Sequence, residues 1–138
     1  MSKIHYVEAG PQVTTSTAYV PLTNAYGGLL EFTHPADSGS VLVMLTVPSP
    51  LAVGHNHPGI SFGLKINGTM SRMVANFTSE ALNPGATGPS PTTLVLFVGG
   101  GPAPVHVQAV WMALGSSTTA VSNNYASLTG LIVDGLAP

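Results

Sequence analysis

Residues Gly59–Phe77 read GISFGLKINGTMSRMVANF, and this stretch decides the fold class. Two runs of residues typical of β-strands, Gly59–Ile66 and Thr69–Phe77, are separated by the dipeptide Asn67-Gly68. Both residues of that dipeptide tolerate the positive φ angles of a type I′ turn. The stretch therefore predicts an antiparallel β-hairpin.

The rest of the chain repeats this pattern of short apolar segments between turn residues. Sixteen glycines and twelve prolines are spread over 138 residues, and no window carries the apolar spacing of an amphipathic helix. We predict turns or loops at 48–50, 54–58 and 83–85, where proline and glycine interrupt the chain. The further predicted strands are Ala18–Leu22, Leu29–Thr33, Ser40–Val47, Thr92–Val98, Val105–Leu114, Thr118–Val121 and Tyr125–Val133. So many short strands predict one all-β domain, residues 1–138, built as a sandwich or jelly roll.

Charged side chains are unusually few. Lysine and arginine together number three and the acids five, so that 6% of the chain is charged, against roughly 25% in ordinary soluble proteins. A monomer of 14.0 kDa exposes on the order of 6,700 Å², hence about one charge per 800 Å². Such a surface is poorly suited to a small domain on its own. We therefore expect other copies of the chain to cover part of it.

Composition also disfavours several classes of function. The formal net charge of −2 provides no basic face for nucleic acid and no polybasic attachment to a membrane. The chain contains no cysteine, which excludes disulfides and thiolate zinc sites. The first ten residues, MSKIHYVEAG, lack the apolar core of a signal peptide, and no run reaches membrane-spanning length. We expect a soluble protein without membrane insertion, and its compartment stays open.

Catalytic and metal-binding patterns are weak. The five acids are scattered without paired spacing, no nucleophile-elbow pattern surrounds a serine, and the triple glycine at 99–101 lacks the lysine and helix of a phosphate loop. His55 and His57 are spaced so that an extended chain would point both to one side, but no third ligand is evident. We therefore expect neither an enzyme nor a bound metal or other cofactor.

The segment Val47–Phe62 carries a resemblance to a known family. Its sequence, VPSPLAVGHNHPGISF, matches the VPxPxAxGxNxPGIxF signature of a tumour-necrosis-factor-like lectin domain. That domain forms the N-terminus of the two-domain superlectins of Burkholderia and binds fucosylated glycans. Trp111 and the run Tyr125–Leu128 agree with the same family, and the resemblance covers about Thr15–Pro138.

The resemblance implies a bacterial lectin with a TNF-like jelly roll. It further implies a homotrimer that binds glycans at its subunit junctions without calcium. The family's two pocket tyrosines correspond here to Leu51 and Ser61, and its two arginines to Pro89 and to Gly115 or Leu114. An arginine fork provides charge-assisted hydrogen bonds that hydroxyl groups do not replace. We therefore expect a specificity shifted away from fucose.

The remaining polar positions define a candidate sugar site. It contains two family matches and four further polar residues near them: Thr78, Thr87, Ser61, Ser79, Asn83 and His57. Serine and threonine are also common in loops that bind nothing, so each of these positions has a purely structural interpretation. The alternative function is a non-enzymatic structural trimer, for example a capsid-decoration or appendage subunit, that uses the same jelly roll only for assembly.

Overall fold

The computed structural model describes residues 4–79, 82–115 and 117–133, without the side chains of residues 82–84 and 87. Thirteen strands account for the regular structure of this part of the chain, and within it no helix is long and apolar enough to cross a membrane. The strands are β1 (Ile4–Ala9), β2 (Gln12–Thr14), β3 (Val20–Pro21), β4 (Glu31–His34), β5 (Ser40–Val47), β6 (Pro50–Asn56), β7 (Gly59–Ile66), β8 (Thr69–Thr78), β9 (Leu82–Thr87), β10 (Thr92–Gly99), β11 (Val105–Leu114), β12 (Thr119–Ser122) and β13 (Ala126–Val133).

The strands form antiparallel sheets. The first sheet has the order β1-β13-β5-β10. The second has the order β3-β11-β7-β8, with β4 also paired to β11. A third, β2-β12-β6-β9, prolongs the second, because β6, β8 and β11 run after short breaks into β7, β9 and β12.

This connectivity is that of a jelly roll. Counted as eight segments, with β1–β2, β3–β4, β6–β7, β8–β9 and β11–β12 each taken together, one sheet has the order one-eight-three-six and the other two-seven-four-five. From the third segment onward the chain crosses between the two sheets and leaves no sequential neighbours paired except segments four and five. The predicted all-β sandwich is therefore confirmed.

The core lies between the two sheets. Along β5, alternate side chains from Val41 to Val47 are buried, as the two-residue period of a strand requires. Trp111 of β11 is 1% exposed and stacks on Phe62 of the paired strand, with ring centroids 6.0 Å apart. Trp111 is thus a core residue rather than a surface platform.

The decisive hairpin is confirmed. β7 and β8 pair antiparallel, and the turn between them has Asn67 at φ 51° and Gly68 at φ 82°. Both angles lie in the left-handed region that a type I′ turn requires.

Two predicted loops are wrong in whole or in part, and four strands have no counterpart among the predictions. Residues 54–56 of the loop predicted at 54–58 belong to β6, and residues 83–85 belong to β9, although both strands contain proline. Pro50 is the first residue of its strand, and β9 lies at the edge of its sheet, where a missing amide hydrogen costs no ladder bond. Besides β6 and β9, the unpredicted strands are β1 and β2, at the start of the chain.

Candidate functional site

The candidate polar residues meet where two paired strands are interrupted together. β6 ends before residue 57 and β8 ends at Thr78, and the chain segments that follow remain in contact. The Ser79 amide donates to the Pro58 carbonyl oxygen at 2.9 Å. The exposed His57 ring lies with Nδ1 3.1 Å from the Ser79 carbonyl oxygen. A carbonyl oxygen only accepts, so Nδ1 is the donor and this bond fixes the tautomer of His57.

Thr78 lies on the outer face of the second sheet, next to this break. It pairs in register with Gly59, whereas its neighbour Phe77 packs against the core. A side chain on Gly59 would overlap the Phe77 carbonyl oxygen and the Thr78 methyl group. Glycine is therefore required at position 59 for β8 to approach this closely, and Thr78 remains exposed.

Ser61 lies on the same outer face but is not accessible. It is 1% exposed, and its hydroxyl is 2.6 Å from the hydroxyl of Tyr19. Tyr19 precedes β3 and covers β7 from outside. A ligand reaches Ser61 only if Tyr19 moves, so the group presented to solvent here is the tyrosine.

Asn83 and Thr87 lie in β9, and their side chains fall outside the described part of the structure. The backbone register pairs Leu82 with Asn56 and Thr87 with Ala52. Five residues of strand correspond to roughly 16 Å. Thr87 is thus at the far end of the strand pair, whereas the start of β9 lies beside His57.

The structure therefore brings together only part of the predicted set. His57, Thr78 and Ser79 form one cluster, which we call the strand-break cluster. Tyr19 is the residue that the sequence did not predict. Its contact with Ser61 spans 42 residues of sequence, and no local pattern indicates it.

The residues at the positions of the family's pocket tyrosines and arginines provide neither an aromatic wall nor a guanidinium group here. Leu51 is half-buried in β6, and Gly115 has φ 86°, where an added side chain would overlap the Asn56 carbonyl oxygen. Arg72, the single arginine of the chain, lies six residues before Thr78 on β8. That separation is roughly 20 Å along the strand. Within one subunit no guanidinium reaches the strand-break cluster.

The histidines do not converge on a common point. Among the described residues, no three His, Asp or Glu side chains lie close enough to hold a metal ion. The His106 Nε2 is instead 2.7 Å from the Glu31 carboxylate. His55 is exposed, and His57 is bound to the Ser79 carbonyl oxygen.

The outer face of the first sheet differs sharply from the strand-break cluster. In register across the four strands, this face presents an apolar row, a mixed row and a polar row. The rows are Ile4, Leu131, Leu42, Phe97; then Tyr6, Thr129, Met44, Val95; then Glu8, Ser127, Thr46, Thr93. Ile4 is 61% exposed and Phe97 52%. A contiguous apolar area of this kind is typical of an interface rather than of a solvated surface.

The chain is similar to one known protein family and to two solved structures. The profile of a family described as "Bc2l-C, N-terminal domain" matches residues 10–131. No match was found among curated proteins. Two solved structures, from the Gx and Gt strains of infectious bursal disease virus, are similar at TM-scores of 0.48 and 0.46, with 13% and 14% identity. They cover 100% and 99% of this chain, which spans about a third of theirs (35% and 33%).

Proposed function

Because the chain belongs to the family of the Bc2l-C N-terminal domain, we propose that it is a carbohydrate-binding lectin that acts as a homotrimer. Its glycan sites lie at the subunit junctions, bind without calcium and have moved away from fucose. The observation that carries this proposal is the family match over residues 10–131, nearly the whole chain. No catalytic step is proposed.

The strand-break cluster supports binding of a neutral sugar. Thr78 and His57 are exposed, the pairing of β7 with β8 positions Thr78, and the hydrogen bond to the Ser79 carbonyl oxygen positions the His57 ring. Hydroxyl and imidazole groups donate and accept hydrogen bonds without a net charge, which suits sugar hydroxyls. Tyr19 adds an aromatic side chain whose hydroxyl lies against Ser61, two residues further along β7 than Gly59. An aromatic wall beside a few polar groups is the usual composition of a small-ligand site.

The outer face of the first sheet supports assembly. Its apolar row lacks any charged side chain, and the neighbouring row contributes Met44 and Val95. Covering this face with another subunit removes exposed apolar area from water and explains how a chain with 6% charged residues stays in solution. In a closed ring of three subunits each interface joins two different surfaces, so we expect this face of one subunit to lie against its neighbour beside the strand-break cluster, as glycan sites at the junctions require.

The proposed shift away from fucose follows from the absence of the two arginine side chains of the family's pocket. Two guanidinium groups would provide charge-assisted hydrogen bonds, each worth about 1.5–3 kcal/mol. Millimolar to micromolar affinity corresponds to only about 4–8 kcal/mol in total. Pro89 and Gly115 provide no substitute donor at those positions. We therefore expect L-fucose to bind far more weakly than the family pattern implies.

The test is a glycan array followed by titration calorimetry on the array's best glycan and on L-fucose. Thr78→Val keeps the shape of the side chain and removes its hydroxyl. We expect it to weaken the best glycan about 3–10-fold, the value of one neutral hydrogen bond. Thr69→Val is the matched control, because Thr69 is equally exposed at the opposite end of β8.

The outcomes separate the two functions. Loss of affinity with Thr78→Val but not Thr69→Val supports the lectin and its location. A trimer that binds no glycan on the array supports instead the structural subunit, since assembly would then be the only property left. Micromolar binding of fucose would contradict the specificity shift and would require an arginine to enter the site from another subunit.

A further inference from the structure

A cleft opens along β1, at the edge of the first sheet and away from the strand-break cluster. It encloses about 400 Å³ and is lined by Tyr6, Val7, Glu8 and Tyr26. β1, which carries three of these residues, is the edge strand of the first sheet. The strand-break cluster lies on the other sheet, so the two regions are separate.

Tyr26 is held out in solvent by a rigid turn. Its side chain is 89% exposed. The Asn24 side-chain oxygen accepts from the amides of Tyr26 and Gly28 at 2.8 and 2.9 Å, and the Asn24 amide donates to the Gly28 carbonyl oxygen at 2.9 Å. The Ala25 amide donates to the Glu8 carbonyl oxygen at 2.8 Å and fastens the turn to β1. With the backbone of the turn held in place, only the two side-chain torsions of Tyr26 lose freedom when a ligand stacks on its ring.

Glu8 supplies a directed carboxylate beside that ring. Tyr6 and Glu8 are two residues apart and so share one face of β1. The Tyr6 hydroxyl donates to Oε1 of Glu8 at 2.9 Å. This hydrogen bond to the carboxylate raises the pKa of Tyr6 above its ordinary value, because it favours the protonated phenol that donates it.

No cation pairs with this carboxylate in the part of the chain that the structure describes. Among the described residues, no Lys, Arg or His lies within ion-pair distance of Glu8, and the one ion pair found there joins His106 to Glu31. Glu8 is nonetheless half-buried. Tyr6 donates to one of its oxygens, the other oxygen has acceptor capacity left, and Glu8 is one of the residues that line the cleft.

We infer that the cleft of Tyr6, Glu8 and Tyr26 is a second saccharide site, which takes a neutral or amino pyranose. The apolar face of the sugar ring stacks on Tyr26, and adjacent hydroxyl groups, or an ammonium group, donate to Glu8. The inference rests on the proposed lectin function and adds to it a second site with its own ligand chemistry.

The charge of Glu8 sets the ligand class. An acceptor-only carboxylate pairs with donors, so it favours hydroxyls and an amino group and repels a sugar that carries a carboxylate or sulfate. The stacking partner must present an apolar ring face, as pyranoses with several equatorial hydroxyls do. Acidic sugars such as sialic acid are therefore excluded.

The experiment is an NMR titration of the assembled wild-type protein with three probes: methyl β-D-glucopyranoside, glucosamine and N-acetylneuraminic acid. We expect amide shifts confined to residues 6–8 and 24–28, saturating at concentrations on the order of millimolar for the first two probes and absent for the third. Tyr26→Ala should weaken binding at least tenfold, whereas Tyr26→Phe, which keeps the ring, should stay within about twofold. Glu8→Gln should remove the preference for glucosamine, and Glu31→Gln, a carboxylate outside the cleft, should not.

Each outcome bears on one site at a time. Cleft shifts that persist in Thr78→Val support the second site whether or not the strand-break cluster binds glycans. Absence of shifts at residues 6–8 and 24–28 overturns the inference, including the case in which a neighbouring subunit fills the cleft. Equal affinity of Tyr26→Ala and wild type also overturns it. Neither result touches the proposed lectin function, which the Thr78→Val comparison tests.

Discussion

Removal of one aromatic ring from the first sheet should dissociate the proposed trimer into monomers without unfolding the subunit. Phe97 is 52% exposed on the outer face, in the apolar row with Leu42. A phenylalanine side chain presents roughly 200 Å². About 100 Å² is thus available for burial against a second subunit, worth about 2.5 kcal/mol at ~25 cal/mol per Å².

A trimer has three equivalent interfaces, so the substitution weakens all three at once. Alanine retains a small part of that area, so Phe97→Ala should cost about 2 kcal/mol per subunit and about 6 kcal/mol per trimer. At 1.4 kcal/mol per factor of ten, the trimer dissociation constant should rise about 10⁴-fold. The half of the ring that is already covered inside the subunit is worth a similar amount, so the monomer should also lose about 2 kcal/mol but remain folded, since a typical domain has about 5–15 kcal/mol of stability.

Sedimentation velocity over a dilution series measures this change. Wild type should remain a trimer at micromolar concentration, and Phe97→Ala should dissociate into folded monomers with an unchanged circular dichroism spectrum. Val74→Ala is the matched control, since Val74 is 41% exposed on the outer face of the other sheet. Wild type that sediments as a monomer, or equal dissociation of both variants, would refute the assignment of this face to assembly.

Two further predictions concern the histidines. His34 Nε2 lies 2.6 Å from the Gly39 carbonyl oxygen, so it must donate there, and its Nδ1 accepts from His5 Nε2 at 3.1 Å. Burial, and second the nearby His34, lower the pKa of His5 from its ordinary value of 6.5. The unfolded chain therefore takes up the proton more readily, so the stability of the fold is complete above pH 6.5 and falls as the pH drops through the lowered value. The melting temperature should decrease between neutral and mildly acidic pH, less so in His5→Gln, whereas His55→Gln should follow wild type; identical slopes would contradict this. A chelator should leave both assembly and melting temperature unchanged, and a drop reversed by zinc would instead identify His55 and His57 as ligands.

The fold was predictable where one local signal dominates. The β7–β8 hairpin follows from Asn67-Gly68, because two adjacent positive φ angles admit few other residues. The family signature over Val47–Phe62 was equally predictive, and the family profile confirms it. The strands that were missed lack such a signal. β1 places Ile4 and Tyr6 on an exposed face, so its apolar residues do not mark the core side of the strand.

The sequence indicated which residues are candidates for the site, but not which of them lie together or are accessible. The turn alone predicts Gly59 opposite Asn76, but an irregularity between Gly63 and Lys65 shifts the pairing by two residues and places Thr78 there instead. No local sequence signal indicates this shift. The cover of Tyr19 over Ser61 depends on a contact across the sheet surface between residues far apart in the chain. Such a contact requires the complete sandwich, so propensity and spacing cannot indicate it. The prediction for Thr78 and His57 remains open to test, whereas Ser61 now requires displacement of Tyr19.

The first sheet is proposed both to form the subunit interface and to bind a saccharide. The two roles are compatible because the polarity of its outer face changes from one end to the other. Apolar side chains occupy the row that contains Ile4 and Phe97, and hydroxyl groups occupy the row that ends in Glu8. An interface that buried Glu8 would have to desolvate a carboxylate for which the described residues offer no cation, a cost of several kcal/mol. We therefore expect subunits to meet over the apolar end, with the polar end and Tyr26 in solvent at the rim. The arrangement proposed for assembly would thus leave Glu8 accessible to a ligand.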